Sequence, residues 1–327
     1  MNNEISRRSA LYALSMTPAA FSNPRPASFD TRAALTEPRP PGSGKLKVAI
    51  FSKHLLFLHG NDLPEAAAKI GFDGIDLAVR KGGHVAPERV KQDLPGLVAA
   101  IREHHLEVPM LTTDIADVNT PHCEDILRAM SELGIKHYRW GGFKYTDNQP
   151  MAAQIEAFKP RVEKLAALNT RYGVGAMYHT HSGINLVGAP IWDLHEILRG
   201  MDPKAVGVNY DIGHATVEGG FGGWIDSLRI SGDYVRGIAV KDFLWKKNAR
   251  ERWIPAWTPL GEGMVRFTEF FSMVAAMRFS GPLQLHFEYP LGGAEEGKSD
   301  IANRNEVYAA MGRDLKRLRG YLAEAGL

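Results

Sequence analysis

The chain has 327 residues, 44% of them hydrophobic and 23% charged, a composition typical of a globular protein with a sizeable core. Its formal net charge of +2 argues against a nucleic-acid-binding surface and against strong attraction to anionic membranes. Cys123 is the single cysteine, so an intrachain disulfide and a thiolate zinc cluster are excluded. Any metal ion must therefore be held by imidazole and carboxylate groups.

The first 22 residues pair Arg7 and Arg8 with a modest apolar stretch from Ala10 to Phe21, a pattern typical of a twin-arginine export signal. The stretch is too short to span a membrane. We therefore expect a periplasmic or secreted protein, and the alternative is a cytoplasmic protein with an N-terminal tail. Residues 23–44 are rich in proline and glycine, which predicts a linker ahead of a folded domain over residues 45–327.

From Lys45 onward, short runs rich in Val and Ile alternate with longer amphipathic stretches. This order is typical of parallel strands joined by crossover helices. The predicted strands are 47–53, 74–80, 107–113, 137–143, 173–180, 206–212, 237–243 and 282–289. Helical patterns such as LPEAAAKIGF and DILRAMSELGI lie between them, and several end in the glycine expected after a helix.

Eight β/α units in about 280 residues match the size of a (β/α)8 TIM barrel, an α/β fold. A doubly wound sheet is the alternative. Its first strand normally leads into a glycine-rich phosphate loop, but here it runs into SKHLLFLHGNDLP, without GxGxxG or GxxxxGK[ST]. We therefore predict the closed barrel, in which ligands bind at the carboxyl ends of the strands.

Polar side chains gather at those strand ends, most densely in the second half of the chain. The last strand places Gln284, His286 and Glu288 on one face, because side chains alternate along a strand. The fifth strand similarly turns His179 and His181 to one side. Imidazole with carboxylate suits Zn, Mn, Co or Fe, and oxygen-rich sets suit Mg or Mn, so these ends could converge on one divalent ion.

The segment NYDIGH at residues 209–214 closes the sixth strand and allows two interpretations. Asp211 could cap the following helix while His214 is a hydrogen-bonded core residue. Both could instead belong to a binding site at the barrel mouth. Polar groups at neighbouring strand ends favour the site.

Several segments resemble motifs of the sugar phosphate isomerase/epimerase superfamily, the xylose isomerase-like TIM barrels that include AP endonuclease relatives. GFDGIDL (71–77) is similar to its GFDGxEL segment, YHTH (178–181) to YHNH, VNYDIGH (208–214) to its DxxH strand and AVKDF (239–243) to HxKD. The resemblance covers about residues 45 to 320. The segment HFEYPLGGAEEG (286–297) is similar to sequences from an exported branch of this superfamily.

The resemblance implies a divalent ion, such as Mn, Zn, Mg or Co, held by groups from the fifth to the eighth strand. The matching positions are His179, Asp211, Ala239 and Glu288. His179 replaces a carboxylate that also moves protons in epimerases, and Ala239 cannot ligate an ion. We therefore expect the ligands to be His179, Asp211, Glu288 and His286.

The resemblance also implies a sugar isomerase or epimerase that moves a proton on a small carbohydrate with metal assistance. Glu288 is the predicted base. Lys241 is the other catalytic candidate, with a salt bridge to Asp211 or Asp242 as the alternative interpretation. Substrate binding is expected from Arg80, His84, Lys144, His181, His214 and Trp245, and residues 246–265 are interpreted as an active-site lid.

Two other functions stay open. A metal-dependent lyase or dehydratase acting on a keto-sugar or inosose would use the same ion and base. A non-catalytic carbohydrate-binding barrel is favoured by Ala239. An AP endonuclease would need a basic DNA-facing surface, which the charge argues against. The expected partner is a small carbohydrate, and a homo-oligomer stays open.

Overall fold

A computed structural model describes residues 45–327; the predicted export signal and the predicted linker lie outside these residues. The strands are β1 (Val48–Phe51), β2 (Gly74–Val79), β3 (Glu107–Thr113), β4 (His137–Trp140), β5 (Gly175–His179), β6 (Val206–Asp211), β7 (Val235–Val240), β8 (Asp242–Lys247), β9 (Trp253–Thr258) and β10 (Leu283–Leu285). Eight of them close a parallel barrel in the order β1-β10-β7-β6-β5-β4-β3-β2. The predicted TIM barrel is confirmed, and each predicted strand overlaps one barrel strand.

The helices surround this barrel. They are α1 (Asp62–Ile70), α2 (Val90–Glu103), α3 (Cys123–Leu133), α4 (Met151–Tyr172), α5 (Trp192–Leu198), α6 (Ile212–Gly219), α7 (Gly223–Ser231), α8 (Phe267–Ala276) and α9 (Arg304–Ala325), with short 3-10 turns at Ser52–Leu55, Pro87–Arg89 and Gly232–Tyr234. Within residues 45–327, no helix combines the length and apolarity needed to cross a bilayer.

The apolar core lies between the barrel and the helices. Leu283, Leu285 and Phe287 are fully buried on the helix-facing side of the last strand. Gln284 instead meets Asn209 of β6 inside the barrel. The alternation predicted from the sequence is confirmed, and it turns the polar side chains of the last strand into the barrel.

The last barrel strand is shorter than the sequence predicts. Regular pairing of β10 stops at Leu285, although the His286 amide still donates to the Val240 carbonyl at 2.9 Å. The next amide, of Phe287, donates to His54 Nε2 at 3.1 Å instead of to a neighbouring strand. The buried His54 side chain thus takes the place of a backbone acceptor on a neighbouring strand. It holds the backbone of the segment that carries Glu288.

A β-hairpin stands between the seventh and eighth barrel strands. β8 and β9 pair antiparallel from Asp242–Thr258 to Lys247–Trp253, so the hairpin begins four residues before the stretch predicted as a lid, residues 246–265, and overlaps it. The Asp242 carboxylate accepts from the backbone amides of Gly261 and Gly263, both at 2.9 Å. Asp242 therefore anchors the base of this insertion and leaves Lys241 to other partners.

Candidate active site

Lys241 follows β7 at the carboxyl end of the barrel and is the centre of a buried polar cluster. Its Nζ lies 2.8 Å from Glu288 Oε1 and 3.2 Å from Asp211 Oδ2. It also donates to His214 Nε2 at 2.7 Å, and the Trp257 ring of the hairpin covers it at 4.4 Å. The ammonium thus has two carboxylates, one imidazole and one aromatic face, an arrangement that offsets the cost of burying it.

The two carboxylates of this cluster differ in exposure. The Asp211 and Lys241 side chains are 0% and 2% exposed, whereas Glu288 is 25% exposed. Burial raises the pKa of Asp211 to about 6 against the attraction of Lys241. Burial acts in the same direction on Glu288, but the Lys241 ammonium outweighs it and lowers that pKa to about 2. Glu288 is therefore the ionised carboxylate of the cluster that a substrate can reach.

His179, Asp211 and His286 form a candidate metal-binding group at the ends of β5, β6 and β10. One ligand atom from each lies within 4.8 Å of the others. Among the described residues, His179 Nε2, Asp211 Oδ2 and His286 Nε2 are all buried without a hydrogen-bond partner of good geometry. Burial, and then nearby cations and imidazoles, hold the pKa of both histidines well below its usual value. Both rings are therefore neutral, as metal ligation requires.

The NYDIGH segment supports both of its interpretations. Asp211 Oδ1 accepts from the His214 amide at 3.0 Å and caps α6, while Oδ2 points to the candidate metal group. Gly213 between them is needed because a Cβ there would lie 2.8 Å from Lys241 Cγ. His214 accepts from Lys241 and donates through Nδ1 to Ser182 Oγ at 2.8 Å. The first turn of α6 therefore contains both the Asp211 cap and His214, which contacts Lys241 in the polar cluster.

Asn209 and Gln284 support this group from deeper in the barrel. Asn209 Nδ2 lies 3.0 Å from His179 Nδ1 and donates to Gln284 Oε1 at 2.8 Å, while Asn209 Oδ1 has no partner among the described residues. Rotating the side-chain amides of Asn209 and Gln284 by 180° would let Asn209 Oδ1 accept a hydrogen bond from His179 Nδ1. The ring proton would then lie on Nδ1, and the His179 Nε2 lone pair would be free to bind a metal ion. This rotation would break the 3.2 Å hydrogen bond that Gln284 Nε2 donates to the Pro282 carbonyl oxygen.

A cavity of about 210 Å³ opens beside His179 at the barrel mouth. Arg80, Arg139 and His181 line it, together with Trp140 and loop residues after β4 and β5. The His181 ring is 4.5 Å from that of His179, and burial, then Arg139, lowers its pKa to about 3. The cavity thus places two guanidinium groups in the same lining as His179 of the candidate metal group.

The other predicted substrate-binding residues lie outside this cavity lining. His84 contacts the Leu55 carbonyl at 3.3 Å, and burial lowers its pKa to about 4. Lys144 is exposed in the loop after β4. Trp245 lies on β8 and is 38% exposed, with its ring 5.9 Å from that of Phe243. Their contribution to binding stays a prediction.

The sequence pattern gave no role to Asn209, and Trp257 was covered only by the predicted lid at residues 246–265. Strand alternation offered a signal for Asn209, because it lies two residues before Asp211 and so shares its face of β6. No comparable signal places Trp257 over Lys241, since that contact depends on the pairing register of the hairpin.

Asp76 of β2 provides a test of burial inside the barrel. Burial raises its pKa to about 7, against a hydrogen bond from Thr112 Oγ1 at 2.8 Å and the attraction of Arg139. The folded protein therefore holds this proton more tightly than the unfolded chain, so the stability that the proton contributes is lost as pH rises from about 4 to about 7. The free energy of unfolding should lose roughly 4 kcal/mol across that window, because one pKa unit corresponds to about 1.4 kcal/mol.

We expect Asp76→Asn to remove this contribution to the pH dependence. Urea unfolding at pH 5 and pH 8 measures it, with Asp226→Asn on the surface of α7 as the matched control. An equal pH dependence in Asp76→Asn and the unmodified protein would show that Asp76 is ionised at both pH values.

The chain belongs to the family described as xylose isomerase-like TIM barrel, whose model matches residues 64–305. None of the curated proteins compared matches it in sequence.

Solved structures of the same fold include three informative neighbours. D-psicose 3-epimerase with D-tagatose from Clostridium cellulolyticum H10 is 14% identical, with a TM-score of 0.60 over 85% of this chain and 99% of the other. The apo form of 3-keto-D-glucoside 4-epimerase from E. coli is 17% identical, with a TM-score of 0.59 over 84% and 100%. The IOLI protein with a binding zinc atom is 16% identical, with a TM-score of 0.63 over 84% and 99%. At these identities the likeness establishes the fold alone.

Proposed function

We propose that this protein is a sugar isomerase or epimerase that moves a proton at a carbon next to a carbonyl group. The observation that carries the proposal is the position of Glu288, an ionised and accessible carboxylate that shares the Lys241 ammonium with Asp211 of the candidate metal group. The epimerase neighbours of the same fold support the substrate class. The twin-arginine pattern at Arg7 and Arg8 supports an exported enzyme.

The residues present fit a divalent metal ion. His179, Asp211 and His286 would hold it, and two imidazoles with one carboxylate suit Zn, Mn, Co or Fe better than Mg. Bound there, the ion would polarise a substrate oxygen and stabilise negative charge that develops on it.

Glu288 is the proposed base. It is ionised at neutral pH and accessible from the barrel mouth, so it can accept a proton from a bound sugar. Lys241 lies almost wholly buried beneath it and acts as a positioning residue. The Lys241 ammonium keeps Glu288 ionised by lowering its pKa.

Proton exchange in deuterated water tests the proposal. Metal-loaded protein is incubated with ketoses, aldoses and 3-keto-glycosides and followed by NMR. We expect deuterium at the carbon next to the carbonyl, together with signals of a new aldose, ketose or epimer.

Other outcomes would contradict the proposal. Unsaturated products would indicate a lyase, which would use the same base for β-elimination. Binding of a sugar with neither exchange nor a new product would indicate a carbohydrate-binding barrel.

A further inference from the structure

Positive charge is concentrated around the cavity beside His179. Arg80 and Arg139 line the cavity itself. Lys53 lies close enough that repulsion from Arg80 and Arg139 adds to burial in lowering its pKa, against the attraction of Glu288. All three side chains are partly buried at the mouth of the barrel.

None of these three cations has a carboxylate oxygen within 4.0 Å among residues 45–327. The Arg139 guanidinium has an imidazole nitrogen, His181 Nε2, at 3.5 Å. The Arg80 guanidinium lies over the Phe51 ring at 5.3 Å. Charged groups in a partly buried site are normally paired, because burial of an unpaired charge is unfavourable.

The nearby carboxylates do not balance this charge. Glu288 is paired with Lys241 at 2.8 Å. Asp76 gives its oxygens to Thr112, and its raised pKa keeps part of it neutral near pH 7. Asp114, at the exposed edge of the cavity, accepts from the Lys81 amide at 3.3 Å and has neither guanidinium group within 4.0 Å. The cavity therefore has two guanidinium groups available for an anion.

We propose that the substrate is an acidic sugar whose carboxylate or phosphate group binds between Arg80 and Arg139. A guanidinium presents paired N–H donors that match the oxygens of either group. The carbohydrate half of this inference rests on the proposed function, whereas the anionic half rests on the unpaired arginines alone.

Calorimetric titration of the full-length, metal-loaded protein tests the inference. The probes share one skeleton and differ at one carbon: glucose, glucuronate and glucose 6-phosphate, and the same series built on galactose and on fructose. We expect at least one acidic member to bind about tenfold or more tightly than its neutral counterpart, because charge-assisted hydrogen bonds are the strong ones. Added salt should reduce that advantage. Preference for the uronate identifies a carboxylate, and preference for the sugar phosphate identifies a phosphate.

Arg80→Met and Arg139→Met should each remove most of this preference for the acidic member. Arg199→Met is the matched control, because Arg199 forms an exposed pair with Glu196 at 3.0 Å. Equal affinity for acidic and neutral members, including no detectable binding of either, would overturn the inference.

The two proposals fail in different ways. Preference for an acidic sugar without proton exchange would contradict the proposed function and leave this inference intact. Proton exchange on neutral sugars alone, without preference for an acidic sugar, would support the proposed function and contradict this inference.

Discussion

Asp211→Asn is expected to lower the affinity for a divalent metal ion by more than about 100-fold, since loss of an outer-shell partner alone costs about 10–100-fold. The substitution removes the negative charge of the candidate ligand, whose Oδ2 lies 3.6 Å from His179 Nε2. It keeps an oxygen that can accept from the His214 amide, so the cap of α6 is preserved. The barrel should therefore stay folded while the ion is lost.

Metal content after loading and gel filtration measures this effect, together with circular dichroism to show that the fold is retained. Asp226→Asn is the matched control, because Asp226 is a surface residue whose side chain is 63% exposed. Normal metal content in a folded Asp211→Asn protein would remove Asp211 from the ligand group.

Glu288→Gln is expected to lower turnover by about 10²–10⁴-fold, the range for loss of a general base. Metal content should stay unchanged, because Glu288 lies outside the group formed by His179, Asp211 and His286. The sequence-based expectation differs, since it includes Glu288 among the ligands. Turnover and metal content measured on the same sample separate the two roles, and loss of metal in this variant would favour the sequence-based expectation.

Lys241→Met is the companion to Glu288→Gln. It removes the ammonium that lies 2.8 Å from Glu288 Oε1 and 3.2 Å from Asp211 Oδ2. We expect turnover to fall more than substrate affinity, because the buried ammonium positions the base without forming part of the cavity lining. Unchanged turnover would restrict Lys241 to a role in stability.

The barrel could be predicted from the sequence because its signal is repeated along the chain. Each short apolar run had to be buried on both faces, and each helical stretch supplied the matching apolar side. The alternation of Gln284, His286 and Glu288 likewise predicted which side chains of the last strand enter the barrel. These are local patterns, and the structure preserves them.

The ion pairs and contacts between side chains of the site could not be predicted in the same way. Whether Lys241 reaches Glu288, Asp211 or Asp242 depends on side-chain direction at the point where β7 ends. The structure resolves it because Asp242 turns to the backbone amides of Gly261 and Gly263. The position of Trp257 depends on the register of the hairpin, and that of His54 on a contact 233 residues away in sequence. Such long-range choices leave no periodic signal.

Anomalous diffraction from crystals soaked in Zn²⁺ and, separately, in Mn²⁺ tests the central claim most directly. We expect one strong peak about 2.0–2.2 Å from His179 Nε2, Asp211 Oδ2 and His286 Nε2, the usual distances for imidazole and carboxylate ligands. Peaks confined to other side chains, or an ordered site that holds no ion at saturating concentrations, would contradict it.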